Sequence, residues 1–218
     1  GDVLLYRFGF ANENSIQWEE GVVSEWEDPD LALADTDKFI SSLQDKCNCR
    51  KVIICLSGPS KTMFRYQLLP SYKHNRQDKP KPKLYDLLKE HLQENYKISR
   101  KDNLEADDCL GIIATKKLGS FVVASIDKDL TQIPGYFFNW NKDTQPQKIT
   151  RKEADMQFYR QCLSGDPVDG FSGVPGIGKK KAEKIINPLF ANHHPGPEEV
   201  WPVIMEEYEK KELDENFA

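Results

Sequence analysis

Nowhere in these 218 residues does an apolar run approach the roughly 20 residues that a bilayer span needs, and no signal-peptide pattern opens the chain. The expectation is a protein with no membrane partner. Histidine is scarce, at four (His74, His91, His193, His194), which argues against a histidine-rich metal site. No Ser/His/Asp set points to acyl transfer. Cysteine is short too: five, an odd number, scattered from Cys47 to Cys162, make no disulfide framework. They fit a reducing, intracellular setting, so a cytoplasmic location is expected. Cys47-Asn-Cys49 has no second Cys or His pair at zinc spacing and reads as chance.

What the chain does have is charge, unevenly spread. Hydrophobic content of 39% and charged content of 30% fit a soluble globular protein, either one large domain or one domain with an appendage. The net charge of −5 hides segregation: residues 61–101 hold eleven Lys/Arg against four Asp/Glu, and residues 198–218 hold eight acids against two Lys. A basic block beside scattered acidic pairs suggests a polyanion partner, with the acids reserved for cations.

The organising stretch is Glu105-Ala-Asp-Asp108, where three carboxylates run into an apolar segment expected to be a helix over 104–118. An ionised carboxylate is costly to bury unless it is paired or holds a cation. Asn103 as an N-cap and a helix dipole would explain the acids alone. Two further acidic pairs, Asp127-Lys-Asp129 and Asp166-Pro-Val-Asp169, weaken that explanation. On a helix Glu105 and Asp108 share a face while Asp107 sits about 100° from Asp108. All three therefore do not bind one ion directly, and at least one acts through water.

The remaining elements read as alternating helices and buried strands. Strands are expected at residues 2–8, within 16–27, at 51–57, 96–99 and 121–126, and near 136–140 and 146–149. The first of these starts at residue 1 with no preceding turn, so the chain is expected to begin inside a strand. Helices are expected at 29–44, 83–94 and about 150–163. This alternation predicts an α/β fold, a parallel sheet with helices on both faces. Asp127 and Asp129 then follow a strand at its carboxyl end, where open α/β sheets bind ligands.

Two segments point to nucleic acid. Lys61–Lys83 is basic and carries Phe64, Tyr66 and Tyr72, with Lys73-His-Asn-Arg76 inside it. Such a segment is either a solvated loop or a cover that grips phosphates and stacks bases. Gly176-Ile-Gly178 opens a helix whose first turns carry Lys179, Lys180, Lys181 and Lys184. A glycine turn lets backbone amides approach a phosphate at a helix N-terminus.

Taken in order, Asp2-Val-Leu-Leu-Tyr-Arg, Phe64-Arg65 with Tyr72-Lys-His-Asn-Arg76, Glu105-Ala-Asp-Asp108, Asp127-Lys-Asp129, Gly165-Asp-Pro-Val-Asp-Gly170 and Gly173-Val-Pro-Gly-Ile-Gly178 resemble the 5′-nuclease superfamily. The likeness is to its bacteriophage-type 5′→3′ exonuclease and flap endonuclease branch. The resemblance implies a PIN-like (resolvase-like) core over residues 1–149, with a basic helical arch at about 60–95. A helical region at 150–218 would hold a helix-turn-helix variant, at about 165–190, for duplex DNA. It implies a divalent-metal-dependent nuclease acting on 5′ ends, flaps or junctions, working as a monomer alongside replication proteins.

Carried over by position, Glu105, Asp107, Asp108 and Asp127 match the first-metal carboxylates or their surroundings, and Asp129, Asp166 and Asp169 the second-metal group. The ions would be two Mg²⁺ or Mn²⁺. Lys73 and Arg76 match catalytic arch cations, with Arg65 and Tyr72 also facing DNA. Gly176 and Gly178, with Lys179 and Lys180, match the duplex-binding turn, where the family often shares a potassium ion with a phosphate. Two departures stand out. The family places a ligand acid just before the position of Gly1, and another where this chain has Gly58. They open the alternative of a DNA-binding member that has lost catalysis. A metal-dependent phosphatase-like α/β enzyme is a further alternative, one that leaves the basic segment and the glycine turn unexplained.

Overall fold

Residues 2–8, expected as a strand, are helical. Asp2–Ala11 forms α1, with Leu4, Leu5 and Phe8 buried. An unbroken apolar run fits a buried strand or a buried helix equally, and packing chooses between them. Here Phe8 meets Phe39 at 5.4 Å between ring centroids and Tyr6 meets Tyr85 at 5.5 Å. Positions 4, 5 and 8 fall on one helical face, which a strand would split between two. This computed structural model describes residues 1–17, 23–69, 72–73, 80–116 and 121–211.

After α1, β1 (Glu13–Gln17) and β2 (Val23–Glu27) pair antiparallel, so the single strand expected within 16–27 is a hairpin. Helix α2 (Pro29–Lys46) begins where Asp28 accepts a hydrogen bond from the Leu31 N–H at 3.0 Å and Pro29 fixes the first turn. Ala32, Thr36 and Ile40 form its buried stripe.

The parallel pairing expected from the sequence is present in two places. Strand β3 (Ile53–Cys55) is followed by the short α3 (Phe64–Leu68), α4 (Tyr85–Asn95) and β4 (Lys97–Ser99), and β3 pairs parallel with β4. Helix α5 (Ala106–Lys116) leads to β5 (Val122–Ala124), which pairs parallel with β6 (Gly135–Phe138). At the edge, β7 (Gln147–Ile149) pairs antiparallel with β6. Among the described residues β3–β4 and β5–β6–β7 are hydrogen-bonded as separate sheets, not as one. Helix α5 packs against both.

The last three helices share their own core. Helix α6 (Arg151–Ser164) starts with a Thr150/Glu153 capping box. Leu163, Ile177, Ile186, Phe190, Val200 and Ile204 are buried together where α6, α7 (Lys179–Leu189) and α8 (Pro197–Glu209) meet. The Tyr208 hydroxyl donates to the Cys162 carbonyl at 2.9 Å, tying α8 to α6. Helix α8 falls within the helical region expected at 150–218, but its limits are not delimited from the sequence, although Val200, Ile204 and Tyr208 are spaced for a helix. Its run of acids masked the pattern. Among the described residues no helix is long and apolar enough to cross a membrane.

Candidate active site

The acids of Glu105–Asp108 occupy the entry to α5. The Glu105 N–H donates to Asp108 Oδ2 at 3.0 Å and the Cys109 N–H donates to the Glu105 carbonyl at 3.2 Å. The helix start is placed by a relay from α1. Ser57, after β3, receives the Ala106 N–H on its Oγ at 3.0 Å, while its own hydroxyl donates to the Asp2 carboxylate. Asp2 thus orients α5 through Ser57. Nothing in the sequence pairs residues 55 positions apart.

Cations from the basic segment close on this wall. Arg65, on α3, grips Asp108 with two parallel bonds of 2.6 and 2.7 Å and lies 3.3 Å from Glu105. Lys73 Nζ donates to Glu105 Oε1 at 2.8 Å and lies 3.6 Å from Asp169. The Tyr72 hydroxyl donates to Glu105 at 2.8 Å and reaches Asp169 at 3.4 Å. Arg65, Tyr72 and Lys73 therefore stand at the carboxylates, joining Asp169 to Glu105 and Asp108. Arg76 lies outside the described residues.

A second group forms below β5. Asp127 lies three residues beyond the end of the strand and accepts the Asp129 N–H at 2.9 Å, capping a short 3₁₀ helix. Lys128, which sequence reasoning passed over, bridges Asp129 at 3.1 Å and Asp166 at 3.5 Å. The Asp-Lys-Asp pattern itself was the available signal. Gln161 donates to Asp166 at 3.2 Å from α6.

Electrostatics link the two groups. Burial, then the nearby Asp127 charge, push the Asp107 carboxyl up to about 6. Burial and Asp127 likewise raise Asp129. In Asp108 the cost of burial is outweighed by the Arg65 fork, and its pKa falls. In Asp166 hydrogen bonds from Asp129, the Val168 N–H and Lys128 outweigh burial in the same way. Among the described residues no three acidic, Cys or His side chains converge as a closed ligand shell. The donors are all carboxylate oxygens, the chemistry that suits a hard divalent cation. Crowding of Asp107 and Asp127 is the kind of repulsion such a cation relieves. The residues present therefore fit divalent metal ions.

Asp107 lies at the open side of the cleft, exposed to water while protein surrounds its other sides. A carboxyl whose pKa is raised on folding favours the folded state below its unfolded value of 3.8, and that support is lost as pH rises through about 6. With solvent screening, the expected loss is about 1 kcal/mol. In chelator, Asp107→Asn is expected to melt higher than the parent at pH 7.5 and to lose that advantage near pH 4. A constant difference across the range would refute the effect.

Away from the cleft, Gly176 has a φ of +80° and Gly178 caps α7, and a Cβ at either would meet nothing within 4 Å. The turn is open to solvent and the positive φ favours glycine at 176. Lys179 and Lys180 are exposed in the first turn of α7. At Gly58 the reverse holds: a Cβ would collide with the backbone of Lys101 and Asp102, and the Gly58 N–H donates to the Leu104 carbonyl at 2.9 Å. No side chain, acidic or otherwise, stands there without moving the loop that leads into α5.

A family model, the 5′-3′ exonuclease N-terminal resolvase-like domain, matches residues 1–159. The chain belongs to this family. Exodeoxyribonuclease of Enterobacteria phage T3 is 31% identical over 198 residues, covering 87% of this chain and 65% of that protein. The T7 phage exonuclease is 30% identical over 199 residues, covering 87% and 66%. The chain thus spans just under two thirds of these curated relatives. A phage T5 protein co-crystallised with metal ions aligns with a TM-score of 0.61 at 20% identity, covering 83% of this chain and 79% of that one. At that identity the likeness concerns the fold. It is a resolvase-like α/β fold, as the resemblance implied.

Proposed function

We propose that this 5′-3′ exonuclease family member is a divalent-metal-dependent, structure-specific nuclease that hydrolyses phosphodiesters near DNA 5′ ends or flaps. One observation carries the reading. Glu105, Asp108 and Asp169 meet Arg65 and Lys73 of the basic segment, while Asp127 stands near Asp107 and Lys128 bridges Asp129 and Asp166. Acids from three separate segments, 105–108, 127–129 and 166–169, thus border one cleft. Domain limits of 1–149 for the core and 150–218 for the helical region accord with the separate core of α6–α8.

In this reading Glu105, Asp107, Asp108, Asp127, Asp129, Asp166 and Asp169 hold two Mg²⁺ or Mn²⁺ ions directly or through water. Such ions supply an activated water and offset charge on the phosphate and the leaving oxygen. Lys73 meets the scissile phosphate, and Arg65 and Arg76 hold its neighbours. The N–H groups after Gly176 and Gly178 receive a backbone phosphate of the duplex, with a potassium ion shared there, and Lys179 and Lys180 add attraction. Replication proteins are natural partners for a monomer of this kind.

Titrating Mg²⁺ or Mn²⁺ into chain bound to a labelled 5′-flap duplex tests the proposal: cleavage should appear with metal and vanish in chelator. The close packing of Gly58, where the family has an acid, favours a second reading, a DNA-binding member without catalysis. Binding with no cutting at any metal concentration would select it. Separately, Lys179→Ala with Lys180→Ala should weaken duplex binding and flatten the plot of log affinity against log salt by about 1–2. An unchanged slope would remove the turn from the interface.

A further inference from the structure

We propose that Ser57 is a positioning residue for cation binding: anchored by Asp2, its hydroxyl fixes the start of α5 and keeps Asp107 within reach of an ion shared with Asp127. The proposal rests on the reading of the cleft as a metal site. Every polar atom of Ser57 is engaged. Its N–H donates to both Asp2 carboxylate oxygens, at 3.2 and 3.3 Å, and its hydroxyl donates to the same carboxylate. Its Oγ accepts the Ala106 N–H at 3.0 Å, and its carbonyl accepts from Arg100 Nε at 3.2 Å. An amide N–H can only donate, so the hydroxyl proton is directed to Asp2 and a lone pair to Ala106. The side chain here must donate and accept at once, which alanine cannot do.

The Ala106 N–H is among the first in α5, a group with no acceptor inside its own helix. Acceptors for such groups commonly come from the residue just before the helix. Here the acceptor lies 49 residues away, and it carries the position of α1 and β3 into the helix start. Cys55, two residues before Ser57, packs with Ala106 and Cys109, so an apolar contact and a polar one meet α5 at the same place. Pairing with β4 continues past β3 at the Leu56 N–H, 3.1 Å from the Ser99 carbonyl. The Gly58 N–H then holds the Leu104 carbonyl at 2.9 Å. Ser57→Ala removes the side-chain bonds and leaves these backbone contacts in place.

Electrostatics sets the demand on the relay. Asp107 follows Ala106 directly, so a shift of the Ala106 peptide moves the Asp107 carboxylate. The Asp127 charge acts on Asp107, and like charges push the start of α5 away from the 127–129 turn. The bonds from Asp2 through Ser57 to Ala106 resist that displacement. Loss of a group that orients metal ligands typically costs about 10–100-fold in affinity. The lower end is expected here, because the Cys55 and Gly58 contacts remain.

Mn²⁺ binding without DNA, read from the electron-spin signal of the free ion, needs no catalysis. Ser57→Ala should weaken it about tenfold, and Ser57→Thr, which keeps the hydroxyl, should restore it to within about threefold. Asp2→Ala should weaken it too. The two alanine substitutions together should bind no more weakly than the weaker single variant, since both break one relay. In flap cleavage, Ser57→Ala should raise the Mg²⁺ concentration for half-maximal rate about tenfold, with the rate at saturating Mg²⁺ changed less than about twofold. Flap affinity in chelator should stay the same. A parent that binds Mn²⁺ yet cuts no flap ends the nuclease proposal, while the Mn²⁺ series still supports or overturns this one. Unchanged Mn²⁺ binding in Ser57→Ala, or additive losses in the pair, would overturn it. So would parallel falls in metal binding, flap binding and Tm that Ser57→Thr does not restore, which mark a general packing role. Should Ser57→Thr fail to fold, the single and paired alanine variants decide. A parent that binds no Mn²⁺ at millimolar concentration also overturns the proposal.

Discussion

A chain carrying Asp127→Asn and Asp129→Asn together is expected to cleave a 5′-flap duplex in Mg²⁺ at least about 1000-fold more slowly than the parent. Metal ions contribute several kcal/mol of charge stabilisation in phosphoryl transfer, and each 1.36 kcal/mol is about tenfold in rate. The substitution is isosteric and preserves the local frame. The carboxamide at position 127 keeps an oxygen for the Asp129 backbone N–H, a bond 2.9 Å long in the parent. Asp129 loses its charge beside Lys128, a contact of 3.1 Å, half exposed and so worth little to folding. Hence Tm should move only a few degrees while turnover collapses. Normal Mg²⁺-dependent cleavage by the double variant would sink the nuclease proposal outright.

Sequence and structure agree best where periodicity was long. Helix α2 has 18 residues and its stripe of Ala32, Thr36 and Ile40 selects one face, so its limits were close to expectation. Strands of three residues, such as β3 and β5, carry too little pattern to fix their partners. Residues 2–8 were misread because adjacent Leu4 and Leu5 suit a strand or a helix, and only packing on α2 and α4 decides. The acids of the cleft were visible as three short clusters. What holds them was not: Arg65 meets Asp108 across 43 residues and Tyr72 meets Asp169 across 97. Such pairings depend on the course of the chain between them, which no local rule supplies. Gly58 shows the same limit from the other side. Its departure from the family pattern was readable, while the reason, the backbone of Lys101–Asp102 pressed against it, is tertiary.

Lys73→Ala is expected to lower turnover on a 5′-flap by about 100-fold, since loss of one charge-stabilising donor typically costs roughly 10²–10³ in rate. Affinity for the same duplex in Ca²⁺ should change less than about threefold, because single phosphate contacts add little to a wide interface. The geometry gives the reason for the split. Lys73 sits at a φ of +50° with its backbone N–H 3.4 Å from the Asp169 carbonyl, which turns the side chain inward onto Glu105. It is aimed at the carboxylates, where the proposed reaction would place the phosphate, and not at the turn proposed to grip the duplex. Burial works against its charge, yet hydrogen bonds with Glu105 and Tyr72 prevail and hold its pKa above the ordinary lysine value. The ammonium therefore persists through neutral and mildly alkaline pH, and the defect of Lys73→Ala should be the same at pH 7 and pH 9. Lys73→Arg should restore part of the rate, because the positive charge returns with a different shape. Equal losses of binding and turnover, or a defect that fades at pH 9, would move Lys73 from the reacting phosphate to the general DNA grip.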